Sequence, residues 1–193
     1  LYSTDVIRQV SPIYPVYRPF LQRLRAAGYE EYELAGNPNR RRLNGCDTSQ
    51  TAATLFVFPY DWRRGPSDSL YPALNLKPNN VALLHEYLQC ILLIHQGKEV
   101  EINLVAHSMG GLLAADYLRH NPNHHVHRLI TAGTPWLGAP KAVASLLTGE
   151  FAPNIRHRDT RSLLEYFPGA HQLLPSEVYY RVHPIRPLVV TSD

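Results

Sequence analysis

Apolar positions recur at helical spacing in residues 16–27, where Phe20, Leu21 and Leu24 share a stripe, and Gly28 closes the run as a C-terminal cap. Thr54, Leu55, Phe56, Val57 and Phe58 are β-branched and aromatic, which predicts a buried strand that Pro59 stops. Residues 80–95 place Val81, Leu84, Leu88 and Leu92 at helix-period positions, with Gly97 as punctuation. Residues 101–106 then read as a strand, 112–118 as a helix, 126–132 as a strand and 139–147 as a short helix. Strand, helix, strand, helix, strand predicts an α/β fold with a doubly wound, mostly parallel sheet. Polar loops separate the elements at 36–50 and at 65–78, the second carrying Gly65, Pro66, Pro72 and Pro78. Beyond Gly149 the chain turns Pro-, Arg- and His-rich and the periodicity fades, with Leu188, Val189 and Val190 as a candidate last strand. The expected organisation is a core over residues 1–149 and a cap- or lid-like segment of the same domain over 150–193.

The run Ile102-Asn103-Leu104-Val105-Ala106-His107-Ser108-Met109-Gly110-Gly111-Leu112 carries the chemistry. An apolar strand ends in a small residue, a serine follows, and an apolar helix begins at once. This is the pattern of the α/β-hydrolase nucleophile elbow, in which a strained turn lifts a serine hydroxyl off the sheet edge for acyl transfer. The usual sequence is G-x-S-x-G; here Ala106 takes the first position and is small enough for backbones that nearly touch. An ordinary strand-to-helix turn that happens to hold a serine is the plainer alternative.

Composition narrows the picture only slightly. The 193 residues are 45% apolar and 18% charged, an ordinary globular balance, and the net charge is +3. Basic clusters at Arg40-Arg41-Arg42, Arg63-Arg64 and between Arg156 and Arg161 read as solvated surface; no aromatic–basic interleaving points to nucleic acid. Cys46 lies in a polar loop and Cys90 in an apolar helical run, and spacing alone leaves open whether they meet. His120, His124, His125 and His127 lack helical zinc spacing, so no metal and no cofactor is expected. The chain opens at Leu1 and closes at Asp193 in a way that suggests the central part of a larger hydrolase.

Four segments, in order, resemble the lecithin:cholesterol acyltransferase-like family of α/β-hydrolases. They are Phe58-Pro59-Tyr60-Asp61-Trp62-Arg63-Arg64, Ala106-His107-Ser108-Met109-Gly110-Gly111, Ala132-Gly133-Thr134-Pro135-Trp136-Leu137-Gly138-Ala139-Pro140-Lys141, and Phe167-Pro168-Gly169-Ala170-His171-Gln172-Leu173-Leu174-Pro175-Ser176. The resemblance implies acyl-ester chemistry on lipids, as lipase, phospholipase or acyltransferase, and admits transient contact with a membrane surface. Ser108 matches the family nucleophile, and Met109 would supply one oxyanion-hole N–H. Asp61 and Arg63 fit a structural ion pair. Trp62 reads as a packing or substrate-wall aromatic, and Trp136, at a strand's carboxyl end, as a lining for the acyl site.

The triad does not close within the sequence. In this fold the order is Ser, then Asp or Glu, then His. Asp116 sits two turns along the elbow helix. Asp159 followed by His171 or His183 satisfies the order but lies in an Arg- and His-rich stretch, and Asp193 has no histidine after it. In resembling proteins the acid and base follow the Leu-Leu-Pro-Ser run, and the second oxyanion donor precedes the Pro-Tyr-Asp-Trp-Arg run. The catalytic Asp and His are therefore expected outside this chain. A hydrolase-like binding domain without turnover, and a serine thioesterase or peptidase, remain as alternatives.

Overall fold

The computed structural model describes residues 8–11, 14–33, 46–65, 79–152, 155–156 and 158–184. Among them the order is β1 (Gln9–Ser11), β2 (Tyr14–Pro15), α1 (Arg18–Ala26), a 3₁₀ turn (Trp62–Arg64), α2 (Asn80–Ile94), β3 (Ile102–His107), α3 (Met109–His120), β4 (Val126–Ala132) and α4 (Pro140–Thr148). There follow β5 (Glu150–Ala152), β6 (Ile155–Arg156), α5 (Arg158–Leu164), α6 (Pro168–Gln172) and α7 (Glu177–Val182). No helix among the described residues is long and apolar enough to cross a membrane. The Arg40–Arg42 cluster, residues 66–78 and the candidate strand at Leu188–Val190 lie outside the described residues.

β3 and β4 form a parallel ladder with α3 crossing between them, so Leu104 faces Leu129, Val105 faces Ile130 and His107 faces Ala132. A parallel pair needs such a crossover, and the helix buries one face of the ladder. That face joins the main core. α2 contributes Leu84, Tyr87, Leu88 and Ile91, β3 contributes Ile102, and α3 contributes Leu113 and Tyr117. The other face leaves the apposed Val105 and Ile130 more than half exposed. The described ladder is two strands wide, one β-α-β unit rather than the wider doubly wound sheet expected.

Residues 54–58 depart from expectation. They run extended but pair only through an isolated parallel bridge between Glu31 and Leu55, with no further ladder among the described residues. The local bonding explains this. Thr54 and Leu55 both donate to the Glu30 carbonyl, Tyr32 donates to the Leu55 carbonyl, and the buried Tyr87 hydroxyl takes the Val57 carbonyl at 3.0 Å. The apolar pattern marks burial against α2, through Phe56, Phe58 and Tyr87, more than it marks a sheet.

The N-terminal segment is tied in by charge. Glu31 receives Arg8 at 2.6 Å and also Arg25 from α1. Burial alone would raise the Glu31 carboxyl, but the hydrogen bonds and charges of the two guanidinium groups hold it below its usual range. On α1, Leu21 is buried while Phe20 faces solvent, so the expected stripe is narrower in fact. Gly28 follows at φ +95°, the left-handed conformation that ends the helix.

Cys46 and Cys90 do meet. They form a disulfide with Cα atoms 5.5 Å apart, across a sequence separation of 44, beside the cluster of Tyr32, Ala53 and Ile94. Constraining a loop of that length in the unfolded chain is worth about 4 kcal/mol by the chain-entropy model. We therefore expect Cys46→Ser, or a reductant, to lower the urea midpoint by an amount equivalent to a few kcal/mol. An unchanged midpoint would mean the bridge contributes nothing to the fold.

Candidate active site

β3 delivers the chain to Ser108, and α3 begins at Met109, so the turn has a single residue. Its backbone shows what that demands: φ is 53° and ψ is −131°, a region few non-glycine residues enter. Two bonds hold it there. The Ser108 N–H donates to the Ala132 carbonyl at 2.9 Å, continuing the ladder past its last residue, and the Gly111 N–H donates to the Ser108 carbonyl at 3.0 Å. Close packing allows this. A Cβ built at Gly111 would collide with Oγ1 of Thr134 and come within 2.7 Å of its Cγ2. The side chain after β4 therefore sits hard against the first turn of α3. Met109 is buried, and its backbone N–H stands at the open N-terminus of a 12-residue helix, where the helix dipole favours negative charge.

The other three segments pack on one another beside this corner. Asp61 caps the 3₁₀ turn and binds Arg63 twice, Nε to Oδ1 and Nη2 to Oδ2, each at 2.7 Å. Burial pushes the Asp61 carboxyl up, but the hydrogen bonds and charge of Arg63 outweigh it, so the group titrates below its usual range. The buried Asn80 at the start of α2 donates to the carbonyls of Asp61 and Gly65, at 2.9 and 2.7 Å. Trp62 meets Phe167 edge to face at 5.6 Å, and the Arg63 guanidinium lies over the same ring. A Cβ at Gly169 would strike the Trp62 carbonyl oxygen. Across the cluster, Ala139 N–H donates to the Leu173 carbonyl and Ser176 N–H to the Leu137 carbonyl, both at 2.8 Å.

The structure thus brings Ser108 and Met109 together at one corner. Trp62 is half-buried against Phe167, while Trp136 stands 54% exposed beyond the carboxyl end of β4. Among the described histidines none hydrogen-bonds to Ser108. His107 takes the Tyr17 hydroxyl on Nδ1 at 2.7 Å, His120 pairs with Asp116 on α3, and His171 bonds the Glu165 carbonyl. His183 packs on Tyr179. Asp159 lies on the backbone of α5 with its side chain outside the described residues, as is all of Asp193. Sequence reasoning missed Tyr60. Its ring stacks near Phe58, and its hydroxyl reaches 3.7 Å from a Cβ built on Gly110, in the first turn of α3. Burial first, and then the Tyr17 phenol, push the Tyr60 hydroxyl well above its ordinary pKa. Its place inside the Pro-Tyr-Asp-Trp-Arg run was the available signal.

Comparison with known proteins agrees with this grouping. The profile of the family described as lecithin:cholesterol acyltransferase matches residues 44–184. Lysosomal phospholipase A and acyltransferase of Bos taurus is 32% identical over 96 residues, covering 48% of this chain and 21% of that protein. The proteins of the same name from Mus musculus and Homo sapiens are 31% and 30% identical over the same coverage. The chain thus spans about a fifth of the length of the curated relatives it matches. No solved structure gives a significant match.

Two outcomes follow from this packing. Gly111→Ala is expected to destabilise by 1–3 kcal/mol, roughly the cost of overpacking a tight site. Thr134→Ala in the same chain should recover part of that loss, because it removes the two nearest atoms, Oγ1 and Cγ2, and leaves only the Thr134 Cβ at 2.8 Å; denaturant midpoints of the two single variants and the double variant measure the coupling. The Asp61 carboxyl, depressed in the folded state, contributes stability above the unfolded carboxylate value near pH 4, and that contribution is lost as pH falls through the folded value. Arg63→Gln should cost about 1 kcal/mol at pH 7, a modest figure because the guanidinium is over a third exposed and solvent screens it. At pH 3 the variant and the parent should differ less in urea midpoint.

Proposed function

The chain belongs to the lecithin:cholesterol acyltransferase family, and from that premise we propose that Ser108 is the nucleophile of a lipid-directed acyl hydrolase or O-acyltransferase. The observation that carries this reading is the backbone at Ser108: a non-glycine residue at φ 53° on a one-residue strand-to-helix corner. Such strain persists only where the surroundings over-determine it, and it clusters at functional sites.

The chemistry follows from the corner. The Ser108 oxygen attacks the carbonyl carbon of an acyl ester while a base takes its proton. The carbonyl π pair moves onto oxygen, where the Met109 N–H and the α3 dipole receive the charge. Collapse expels the alcohol with a proton and leaves an acyl-serine. Water then releases a fatty acid, or a second alcohol accepts the acyl group. Trp136, exposed beyond the end of β4, is suited to line the acyl chain, and Trp62, packed edge to face on Phe167, is a candidate second aromatic of the substrate wall. In this reading residues 150–193 form a cap- or lid-like segment of the same domain, over an α/β-hydrolase core. The relatives named phospholipase A and acyltransferase support both lipid outcomes and do not choose between water and alcohol.

One observation favours a second reading, a binding domain without turnover: among the described residues no histidine hydrogen-bonds to the Ser108 hydroxyl, and His107, His85, His95 and His171 bond elsewhere. A fluorophosphonate probe separates the two. Active-site labelling should appear on Ser108 and vanish in Ser108→Ala, with release of fatty acid from phospholipid vesicles falling at least about a thousandfold, the scale of a removed nucleophile. A folded, full-length protein that takes up no label would favour the binding domain.

A further inference from the structure

An oxyanion is stabilised by donors already in place where the charge develops, and such sites use side-chain hydroxyls as well as backbone amides. Met109 supplies one amide. The Tyr60 phenol borders the first turn of α3. Tyr60 leaves the extended segment after Pro59 with its ring near-parallel to that of Phe58, 6.3 Å between centroids and 16° between planes. Both its hydroxyl and Cε1 lie within 4 Å of a Cβ built on Gly110. Gly110 has no such atom, so the space beside it is open to the phenol. No hydrogen bond from another described residue occupies that hydroxyl, whereas the nearby Tyr17 hydroxyl is committed to His107. Burial also keeps Tyr60 protonated through the neutral range.

We propose that the Tyr60 phenol is an additional hydrogen-bond donor to the oxyanion formed when Ser108 attacks an acyl carbonyl, beside the Met109 amide and the donor that the family resemblance places ahead of the Pro-Tyr-Asp-Trp-Arg run. The proposal rests on the reading of Ser108 given above. In the step it serves, the bond from the Ser108 oxygen to the carbonyl carbon forms and the π pair moves onto oxygen. The Tyr60 O–H strengthens its hydrogen bond to that oxygen without giving up its proton. The bond to the leaving alcohol then breaks as the carbonyl re-forms. Because the charge exists only in the transition state, the phenol should govern kcat far more than KM.

The test uses Tyr60→Phe in the full-length protein, with Ser108→Ala as the reference for the reaction itself. We expect kcat on a short-chain acyl ester to fall about 10- to 100-fold, KM to stay within about twofold, and the unfolding temperature to hold within a few degrees. If the variant folds poorly, difluorotyrosine installed at position 60 keeps the shape and lowers the phenol pKa; its kcat should gain an alkaline decline that the parent lacks. An unchanged kcat in Tyr60→Phe, a loss matched by the folded fraction, or a difluorotyrosine profile identical to the parent's would overturn the proposal and leave Ser108 standing. Turnover that survives Ser108→Ala would overturn both.

Discussion

The chain has one residue in which to leave a parallel strand and enter a helix, and the rest of the site is arranged around that constraint. β3 must stay in register with β4, while α3 must start directly behind it to bury Leu113 and Tyr117. With no linker, the turn is taken by the backbone of Ser108 alone, at φ 53° and ψ −131°. The conformation is disfavoured by about 1–3 kcal/mol. It holds because the Ser108 N–H is drawn to the Ala132 carbonyl and because the missing side chain of Gly111 lets the first turn of α3 pack hard against Thr134. The same geometry turns the serine side chain out of the ladder and puts the open amides of α3 beside it. In the proposed reading, nucleophile and oxyanion donor are thus two consequences of one backbone decision.

The second layer is a clamp. The Asp61–Trp62–Arg63 turn, the Leu137–Ala139 corner and the 167–176 segment are far apart in sequence and bind chiefly each other. Their glycines are fixed by contact: Gly169 must let the Trp62 carbonyl approach, and Gly138 must let the Leu174 carbonyl and Pro175 approach. This explains why those runs carry the resemblance so specifically. A surface that contacts substrate can drift as the substrate changes, whereas three segments that interlock backbone to backbone cannot change singly. The buried Asn80 shows the same logic, spending both donors of its amide on carbonyls of the turn.

The fold was legible where local pattern and final environment coincide. The amphipathic run at 80–95 became α2, the apolar run at 126–132 became β4, and the elbow read directly because its strand, turn and helix are contiguous. Residues 54–58 misled because aromatic and β-branched residues report burial, and here the burial is against α2 with the carbonyls taken by Tyr87 and Tyr32. The Cys46–Cys90 bridge was invisible because it joins a polar loop to a helix 44 residues on. Phe20 took part in a helical stripe yet faces solvent, since periodicity gives a face and not its partner. The site was half legible. Ser108 and Met109 are local facts, whereas Tyr17, Tyr60 and Thr134 reach the corner only through tertiary packing.

That division bears on how the corner is made ready for chemistry. A donor helps a transition state to the extent that it need not move to meet the charge. Tyr60 is followed directly by Asp61, whose carboxylate is held by Arg63 and whose carbonyl is held by Asn80. The next residue, Trp62, is locked against Phe167 and Gly169. The phenol is therefore anchored on its C-terminal side by the clamp and on its N-terminal side by Pro59 and the Phe58 ring. A loose tyrosine would lose rotamer freedom on meeting the oxyanion, and much of its hydrogen bond would be offset by that ordering. One already immobilised loses little. The clamp is in that sense the part of the molecule that sets how much a hydroxyl at position 60 can contribute.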